Sequence, residues 1–120
     1  MADDLSRDGE GRIVISEEEG RAADSWVAET ASVSWFDDHG MHVRVYSVRS
    51  GKVTERCFDS ESGSGWYTSD FAADANHVSA TATMHPGDGV YIHLYATFAG
   101  KTTEWSFSHR EWQKGGYTLN

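Results

Sequence analysis

The chain has 120 residues, a formal net charge of −9 at neutral pH, and 12% aromatic residues. This length fits one ordinary domain, and the aromatic content is enough for a packed core. The acidic balance argues against nucleic acid and anionic membranes as partners, because both select clustered lysine and arginine. No run approaches the roughly 18 apolar residues of a membrane helix, so we expect no membrane insertion.

The N-terminal region is more acidic than the rest. The first 24 residues hold eight acids and three bases, a net charge of −5, and few hydrophobic residues. We therefore predict a flexible acidic leader over residues 1–29 and one domain over residues 30–120. The alternatives are a short ordered piece at "RIVIS" and a strand over residues 13–15 that pairs with the main domain.

Targeting signals and disulfides are not expected. The start "MADDLSRDGEGR" lacks the apolar stretch of a secretory signal, which leaves the cytoplasm or release by a route that needs no signal. Cys57 is the lone cysteine, so no internal disulfide forms.

Strand patterns dominate after residue 30. "ASVSWF" predicts a strand, and "MHVRVYSV" alternates so that His42, Arg44 and Tyr46 share one face. The glycine turn "RSGK" and the segment "VTERCF" complete a β-hairpin, and "SGWYTSDF" follows as a further strand.

The same order of elements is then repeated. "HVSATATM", "VYIHLYAT", "FAGK", "TTEWSF" and "EWQKGGY" correspond to the segments of the first copy, 49 residues later at the hairpin and 46 later at the tryptophan. The identical pairs are Tyr46/Tyr95, Gly51/Gly100, Lys52/Lys101, Thr54/Thr103, Glu55/Glu104 and Phe58/Phe107. Each repeat therefore predicts three to four strands, and the fold class is all-β.

The size of the repeat suggests how it is used. A four-stranded unit of roughly 40–50 residues is the size of a propeller blade, and propellers close with about four to eight blades. Two blades alone leave sheet faces bare, which a head-to-tail ring of two, three or four chains would cover. The alternative is a single small β-sandwich in which the repeat is an evolutionary relic.

Arg44 and Glu55 lie on the two strands of the first hairpin. One interpretation is an exposed cross-strand ion pair of little energetic value. The other is a carbohydrate site, because hydroxyl groups suit a guanidinium and a carboxylate while the C–H face of a sugar packs on an aromatic ring. The available aromatic residues are Phe58, Trp66, Phe107 and Trp112.

The motifs "HVRVYSVRSGKVTERCFD", "GWYTSDF", "VYIHLYATFAGKTTEWSFS" and "EWQKGGYT" resemble the fucose-binding lectin family typified by Aleuria aurantia lectin, and most closely its short two-repeat bacterial members. The resemblance covers about residues 30–119. It implies a six-bladed β-propeller, completed by a trimer in which each chain supplies two blades. It also implies metal-free and cofactor-free sites for α-L-fucose between adjacent blades, and a lectin rather than an enzyme.

The resemblance implies one site between the two repeats and one between chains. Arg44 and Glu55 match the polar pair of the first site, Phe107 and Trp112 match its aromatics, and Asp70 takes the place of a small residue. The second site would comprise His93, Glu104, Gly116, Phe58, Trp66 and Trp35. Because His93 stands where arginine is expected and Thr83 where a second tryptophan is expected, we predict that this site is weakened or altered.

Other functions find less support. Asp37, Asp38, His39 and His42 have metal-ligand chemistry, but an acidic turn explains them more simply. Glu55 with Asp70, or Glu104 with Glu111, would serve a glycosidase, although no pattern fixes their separation. The expected partners are fucosylated glycans and further copies of the chain. The rival hypothesis is a propeller-fold binding module whose sugar specificity is lost or changed, toward another monosaccharide or a protein.

Overall fold

A computed structural model describes residues 26–120 and, before them, the backbone of two short strands, β1 (Ser6–Arg7) and β2 (Ile13–Val14). These two strands pair antiparallel with each other. The sequence alternative of a strand over residues 13–15 that pairs with the main domain is therefore not what residues 13 and 14 form, because their partner is β1. The remainder of the predicted leader lies outside the described residues.

Two antiparallel sheets of four strands each make up the main part of the chain. The first contains β3 (Val27–Asp37), β4 (Gly40–Arg49), β5 (Lys52–Asp59) and β6 (Tyr67–Asp74). The second contains β7 (His77–His85), β8 (Gly89–Phe98), β9 (Lys101–Ser108) and β10 (Glu111–Leu119). This confirms the all-β prediction and gives each repeat four strands. Nowhere in the described part of the chain is there a helix with the length and apolar character of a membrane span.

The β4–β5 and β8–β9 turns have the geometry expected from their glycines. Ser50 and Gly51 have φ angles of 52° and 77°, and Ala99 and Gly100 have φ angles of 51° and 80°. Two successive residues with positive φ are typical of the type I′ turn, whose twist matches that of the flanking strands. The two hairpins predicted from the repeat are therefore closed by equivalent turns.

A β-bulge interrupts the last strand of each sheet at the same place. Thr54 pairs with Ala72 and Arg56 pairs with Thr68, so that residues 69–71 lie opposite Glu55 alone. In the second sheet, residues 115–117 lie opposite Glu104 in the same way. Each bulge thus places three residues of one strand opposite a single glutamate of its neighbour.

The core lies between the two sheets. The first sheet contributes the face that carries Tyr46, Val48 and Val53, and the second contributes the face that carries Ile92 and Leu94, all at most 2% exposed. Because side chains alternate along a strand, Val43 and Val45 point to the opposite face of the first sheet. The two repeats therefore bury opposite faces within one chain.

The outer faces of the two sheets consequently correspond to inner faces of the other repeat. The outer face of the first sheet includes Val43, Val45, Phe58 and Trp66, the repeat counterparts of the inward-facing Ile92, Leu94, Phe107 and Trp112. The outer face of the second sheet includes Tyr95, Glu104 and Tyr117, the counterparts of the inward-facing Tyr46, Glu55 and Phe71. Trp66 is 47% exposed and Tyr117 is 46% exposed.

The beginnings of β3 and β7 are joined by Glu29. Its carboxylate accepts a hydrogen bond from the backbone N–H of Val78 at 2.6 Å and lies 3.0 Å from Nδ1 of His77. The N–H of Val78 lowers the pKa of Glu29, with a further contribution from His77. Since β3 begins at Val27, residues 27–29 are part of the first sheet, three residues before the boundary expected at residue 30.

Candidate functional site

Trp112 of the second sheet reaches across to the first sheet. Its ring centroid lies 4.3 Å from that of Phe71 and 6.0 Å from that of Tyr46, with the Tyr46 contact edge-to-face. Phe107, its neighbour on β9, lies 5.4 Å away. The structure therefore places the two aromatics predicted for the first site against the face of the first sheet that carries Arg44, Tyr46 and Glu55.

Glu55 lies on this inner face of the first sheet and is 4% exposed. Its Oε2 accepts a hydrogen bond from the Tyr46 hydroxyl at 2.7 Å, and its Oε1 accepts one from Ser69 Oγ at 2.6 Å. Burial, followed by the neighbouring Glu55 carboxylate, raises the pKa of Tyr46, so its hydroxyl remains a donor. The bulge supplies Ser69, whose Oγ also accepts from the N–H of Phe71 at 3.1 Å.

Arg44 is bonded to the end of β5 and not to Glu55. Its Nη1 lies 3.0 Å from Oδ1 of Asp59 and donates to the carbonyls of Val43 at 2.9 Å and Phe58 at 3.3 Å. The guanidinium carbon lies 5.1 Å from the ring centroid of Trp35, a cation–π contact. Within residues 26–120, Nε and Nη2 have no hydrogen-bond partner, so the guanidinium keeps donors that the described residues do not use.

Asp59 connects the polar residues around Arg44. Besides Arg44, it accepts hydrogen bonds from His42 Nδ1 at 2.6 Å and from the hydroxyl of Tyr67. Partial burial opposes the charge on Asp59, but the donors Tyr67, His42 and Arg44 together lower its pKa. Asp59, His42 and Tyr67 are not among the residues predicted for the site from the sequence. The sequence did contain one indication of His42: the strand alternation predicts that His42, Arg44 and Tyr46 share one face.

His42 is enclosed by two carboxylates and an aromatic ring. Its Nε2 lies 2.8 Å from Oδ1 of Asp37, opposite the Nδ1 contact with Asp59, and its ring stacks on Trp35 at 5.1 Å. Partial burial disfavours the charged ring, but the hydrogen bonds with Asp59 and Asp37 outweigh it and raise the pKa of His42 above 6.5. The imidazolium form can donate to both carboxylates at once, whereas the neutral ring has one N–H only.

The raised pKa of His42 predicts a pH-dependent stability. The folded state binds the His42 proton more tightly than the unfolded state, so this contribution is fully present below pH 6.5 and is lost as pH rises through the folded-state pKa. We expect a lower melting temperature at pH 8.5 than at pH 6.5, and a smaller difference in His42→Gln. The control is His39→Gln, whose side chain is 81% exposed. An unchanged pH dependence in His42→Gln would contradict the prediction.

The residues predicted for the second site lie on two different outer faces. On the second sheet, His93 Nδ1 lies 3.0 Å from Oε2 of Glu104, which also accepts from the Tyr95 hydroxyl at 3.2 Å. Its Oε1 accepts from the N–H of Tyr117 at 3.2 Å, which is the main reason that the pKa of Glu104 is lowered. A Cβ at Gly115, the counterpart of Ser69, would overlap the Glu104 carboxylate.

The other members of the second set lie on the first sheet. Phe58 and Trp66 pack on each other at 5.5 Å on its outer face. Trp35, which the sequence assigned to the site between chains, instead contacts Arg44 and His42 on the inner face. One chain therefore brings together the aromatic and polar parts of the first site, and it separates those of the second.

Asp70 and Gly116 occupy equivalent positions in the two bulges. Both are exposed, and Asp70 forms no ion pair or side-chain hydrogen bond with another residue of the described part. A carboxylate at this position adds a charged acceptor beside Glu55, whereas Gly116 leaves open space at a Cβ position. The two bulges thus offer different surroundings to a ligand.

The acidic turn beside the site has internal partners for its polar groups. Asp37 accepts from the N–H of His39 at 2.8 Å as well as from His42. No group of three or more His, Cys, Asp or Glu side chains in the described residues is arranged to hold a metal ion. Burial raises the pKa of Cys57 to about 11, which keeps its thiol uncharged and a poor metal ligand at neutral pH.

A solved structure shares this architecture. It is described as a fucose lectin from Kordia zhangzhouensis in complex with methyl-fucoside, and it matches with a TM-score of 0.65 and 23% sequence identity. The match covers 96% of this chain and 98% of that one. At this identity the likeness establishes a fucose-lectin-like fold. No family model matches the chain, and no curated protein does.

Proposed function

We propose that the protein is a lectin that binds α-L-fucose-containing glycans, with its principal site between the two sheets. The observation that carries this proposal is that Trp112 and Phe107 of one sheet pack against the inner face of the other, which also carries Arg44 and Glu55. A sugar needs both, since its C–H face packs on an aromatic ring while its hydroxyls bind charged groups. The fold shared with a methyl-fucoside-bound lectin supports the choice of sugar.

Each residue of the principal site has a role in this proposal. Arg44 donates from Nε and Nη2 to ring or hydroxyl oxygens of the sugar, while Asp59 fixes the guanidinium through Nη1. Trp112 and Phe107 pack on the apolar side. Glu55 accepts from sugar hydroxyls by exchanging its Tyr46 or Ser69 partner for the ligand, which keeps its carboxylate hydrogen-bonded throughout.

We further propose that chains associate head to tail in a ring, with the trimer of two-bladed chains as the expected form. The outer face of each sheet is the repeat counterpart of an inner face of the other sheet, so one chain can stack on the next as the two sheets stack on each other. Such a heterologous interface closes into a ring when the rotation permits. The ring would unite Phe58 and Trp66 of one chain with Glu104 and His93 of the next, and several weak sites would act together on one glycan surface.

A second candidate is a binding module of the same fold with altered sugar specificity. Three contacts favour it: the two oxygens of the buried Glu55 already accept from Tyr46 and Ser69, and Arg44 is bonded to Asp59. In this case the exposed Asp70 would alter the first site and His93 the second, toward another monosaccharide or a protein. Both candidates are non-enzymatic.

Calorimetric titration of the full chain with methyl α-L-fucoside tests the proposal. We expect about one site per chain, because the principal site has its arginine and the second has His93. Two sites per chain would show that the second site still binds with His93 in place of arginine. No heat at millimolar sugar would overturn the fucose assignment, and titration with other methyl glycosides would then test the second candidate.

A further inference from the structure

A cavity of about 210 Å³ lies on the inner face of the second sheet, toward the β8–β9 turn. Its apolar wall consists of Ala96, Phe98 and Trp105, and its polar lining consists of Thr103, Lys101, Lys114 and the carboxylate of Asp74. Lys101 lies six residues from Phe107 along β9, which corresponds to about 20 Å at 3.3 Å per residue. The Lys101 end of the cavity is therefore distant from the Arg44 site, whereas its Trp105 wall contacts Phe71 at 5.9 Å, beside Trp112 of that site.

Two of the three lysines of the chain line this cavity, and the third is bonded to a carboxylate in its lining. The sequence contains three lysines, of which Lys101 and Lys114 line the cavity. The third, Lys52, places its Nζ 2.6 Å from Oδ1 of Asp74 and so compensates the carboxylate in the lining. Within residues 26–120, no carboxylate lies within 4.0 Å of the Lys101 or Lys114 ammonium group. The lining of the cavity thus carries a net positive charge within a chain of net charge −9.

The first sheet carries a cavity at the equivalent position. It is lined by Ser47, Arg49, Lys52, Thr54 and Arg56, the counterparts of Ala96, Phe98, Lys101, Thr103 and Trp105 at the 49-residue spacing. Arg49, Lys52 and Arg56 are cationic and no lining residue is acidic; the Lys52 charge is paired with Asp74, which leaves the two arginines as the source of positive charge. Positive charge at this position is therefore a property of both repeats, although only the lysine and the threonine are identical between them.

We propose that the cavity bounded by Trp105, Lys101 and Lys114 binds an anionic monosaccharide unit, carboxylated or sulfated. The two ammonium groups suit a carboxylate or sulfate, and the indole offers an apolar surface for the C–H face of a sugar ring. The volume suits a single ring, since pockets for larger organic ligands measure roughly 300–1,000 Å³. This site does not depend on fucose recognition at Arg44.

The test is calorimetric titration of the full chain with methyl β-D-glucuronide and galactose 6-sulfate, and with methyl β-D-glucoside as the neutral match. We expect at least one anionic sugar to bind, the glucoside not to bind, and the affinity to fall at high salt. Lys101→Gln should weaken binding about tenfold, the effect of losing one charge-assisted hydrogen bond. Lys101→Arg should retain it.

Matched controls separate this site from the fucose site. Arg110→Gln removes a positive charge from the β9–β10 turn, outside the cavity, and should leave anionic-sugar binding unchanged. Lys101→Gln should leave methyl α-L-fucoside binding unchanged. Three results would overturn the proposal: no binding of either anionic sugar, competition between the anionic sugar and the fucoside, or equal binding by inorganic sulfate alone.

Discussion

Trp112→Ala is expected to abolish sugar binding at the site between the sheets and to lower the free energy of unfolding by about 3 kcal/mol, as large aromatic deletions do. The indole packs on Phe71, Tyr46 and Phe107, so its removal leaves a cavity between the two sheets and takes away the apolar surface of the site. The measurements are denaturant unfolding and titration with methyl α-L-fucoside.

The control for Trp112→Ala is Phe36→Ala. Phe36 is 75% exposed, and its loss should change the free energy of unfolding by no more than about 0.5 kcal/mol. Trp112→Phe should recover part of both the stability and the binding, since it restores an aromatic ring. Fucoside binding by a folded Trp112→Ala protein at undiminished affinity would show that the sugar does not pack on this residue.

His93→Arg is expected to raise the number of fucoside sites from about one to about two per chain. His93 presents two ring nitrogens, one of which lies 3.0 Å from Glu104, whereas a guanidinium has five N–H donors and reaches further. The side chain of His93 is 34% exposed, so the longer residue can be accommodated. The stoichiometry of the calorimetric titration is the readout.

The matched variant for His93→Arg is His85→Arg, a histidine of the neighbouring β7 that belongs to neither predicted site. It adds the same charge to the second sheet and should leave the stoichiometry unchanged. If His93→Arg bound the same number of fucosides as the parent protein, the natural histidine at position 93 would not be the cause of a weakened second site.

The strands and hairpins were predictable because their determinants are local. Alternation of side chains along "MHVRVYSV" and "VYIHLYAT" and the glycines at positions 51 and 100 suffice to define two hairpins. Which face of each sheet is buried was not predictable. Val43 and Val45 are more apolar than Arg44, yet they lie on the outer face of the first sheet, because the second sheet covers the other side.

The contacts within the candidate site were predictable only in part. Repetition and resemblance indicated Arg44, Glu55 and Trp112, which the structure places between the two sheets. The partner of Arg44 is Asp59, and that of Glu55 is Ser69; neither pairing follows from the sequence. Asp59 acts from the end of β5, where Arg44, His42 and Tyr67 converge, and Ser69 reaches Glu55 only because of a bulge. Such contacts depend on which residues of neighbouring strands lie opposite each other, and the sequence contains no pattern that predicts the position of the bulge.

The equivalent bulges carry unlike residues, Ser69 and Asp70 in one and Gly115 and Gly116 in the other. In a ring assembled from chains with a single repeat each, every mutation would change all of the pockets at once. Two repeats in one chain remove that constraint, because a mutation in one bulge leaves the other intact. The chain can thus keep one recognition surface under selection while the second diverges toward a new ligand.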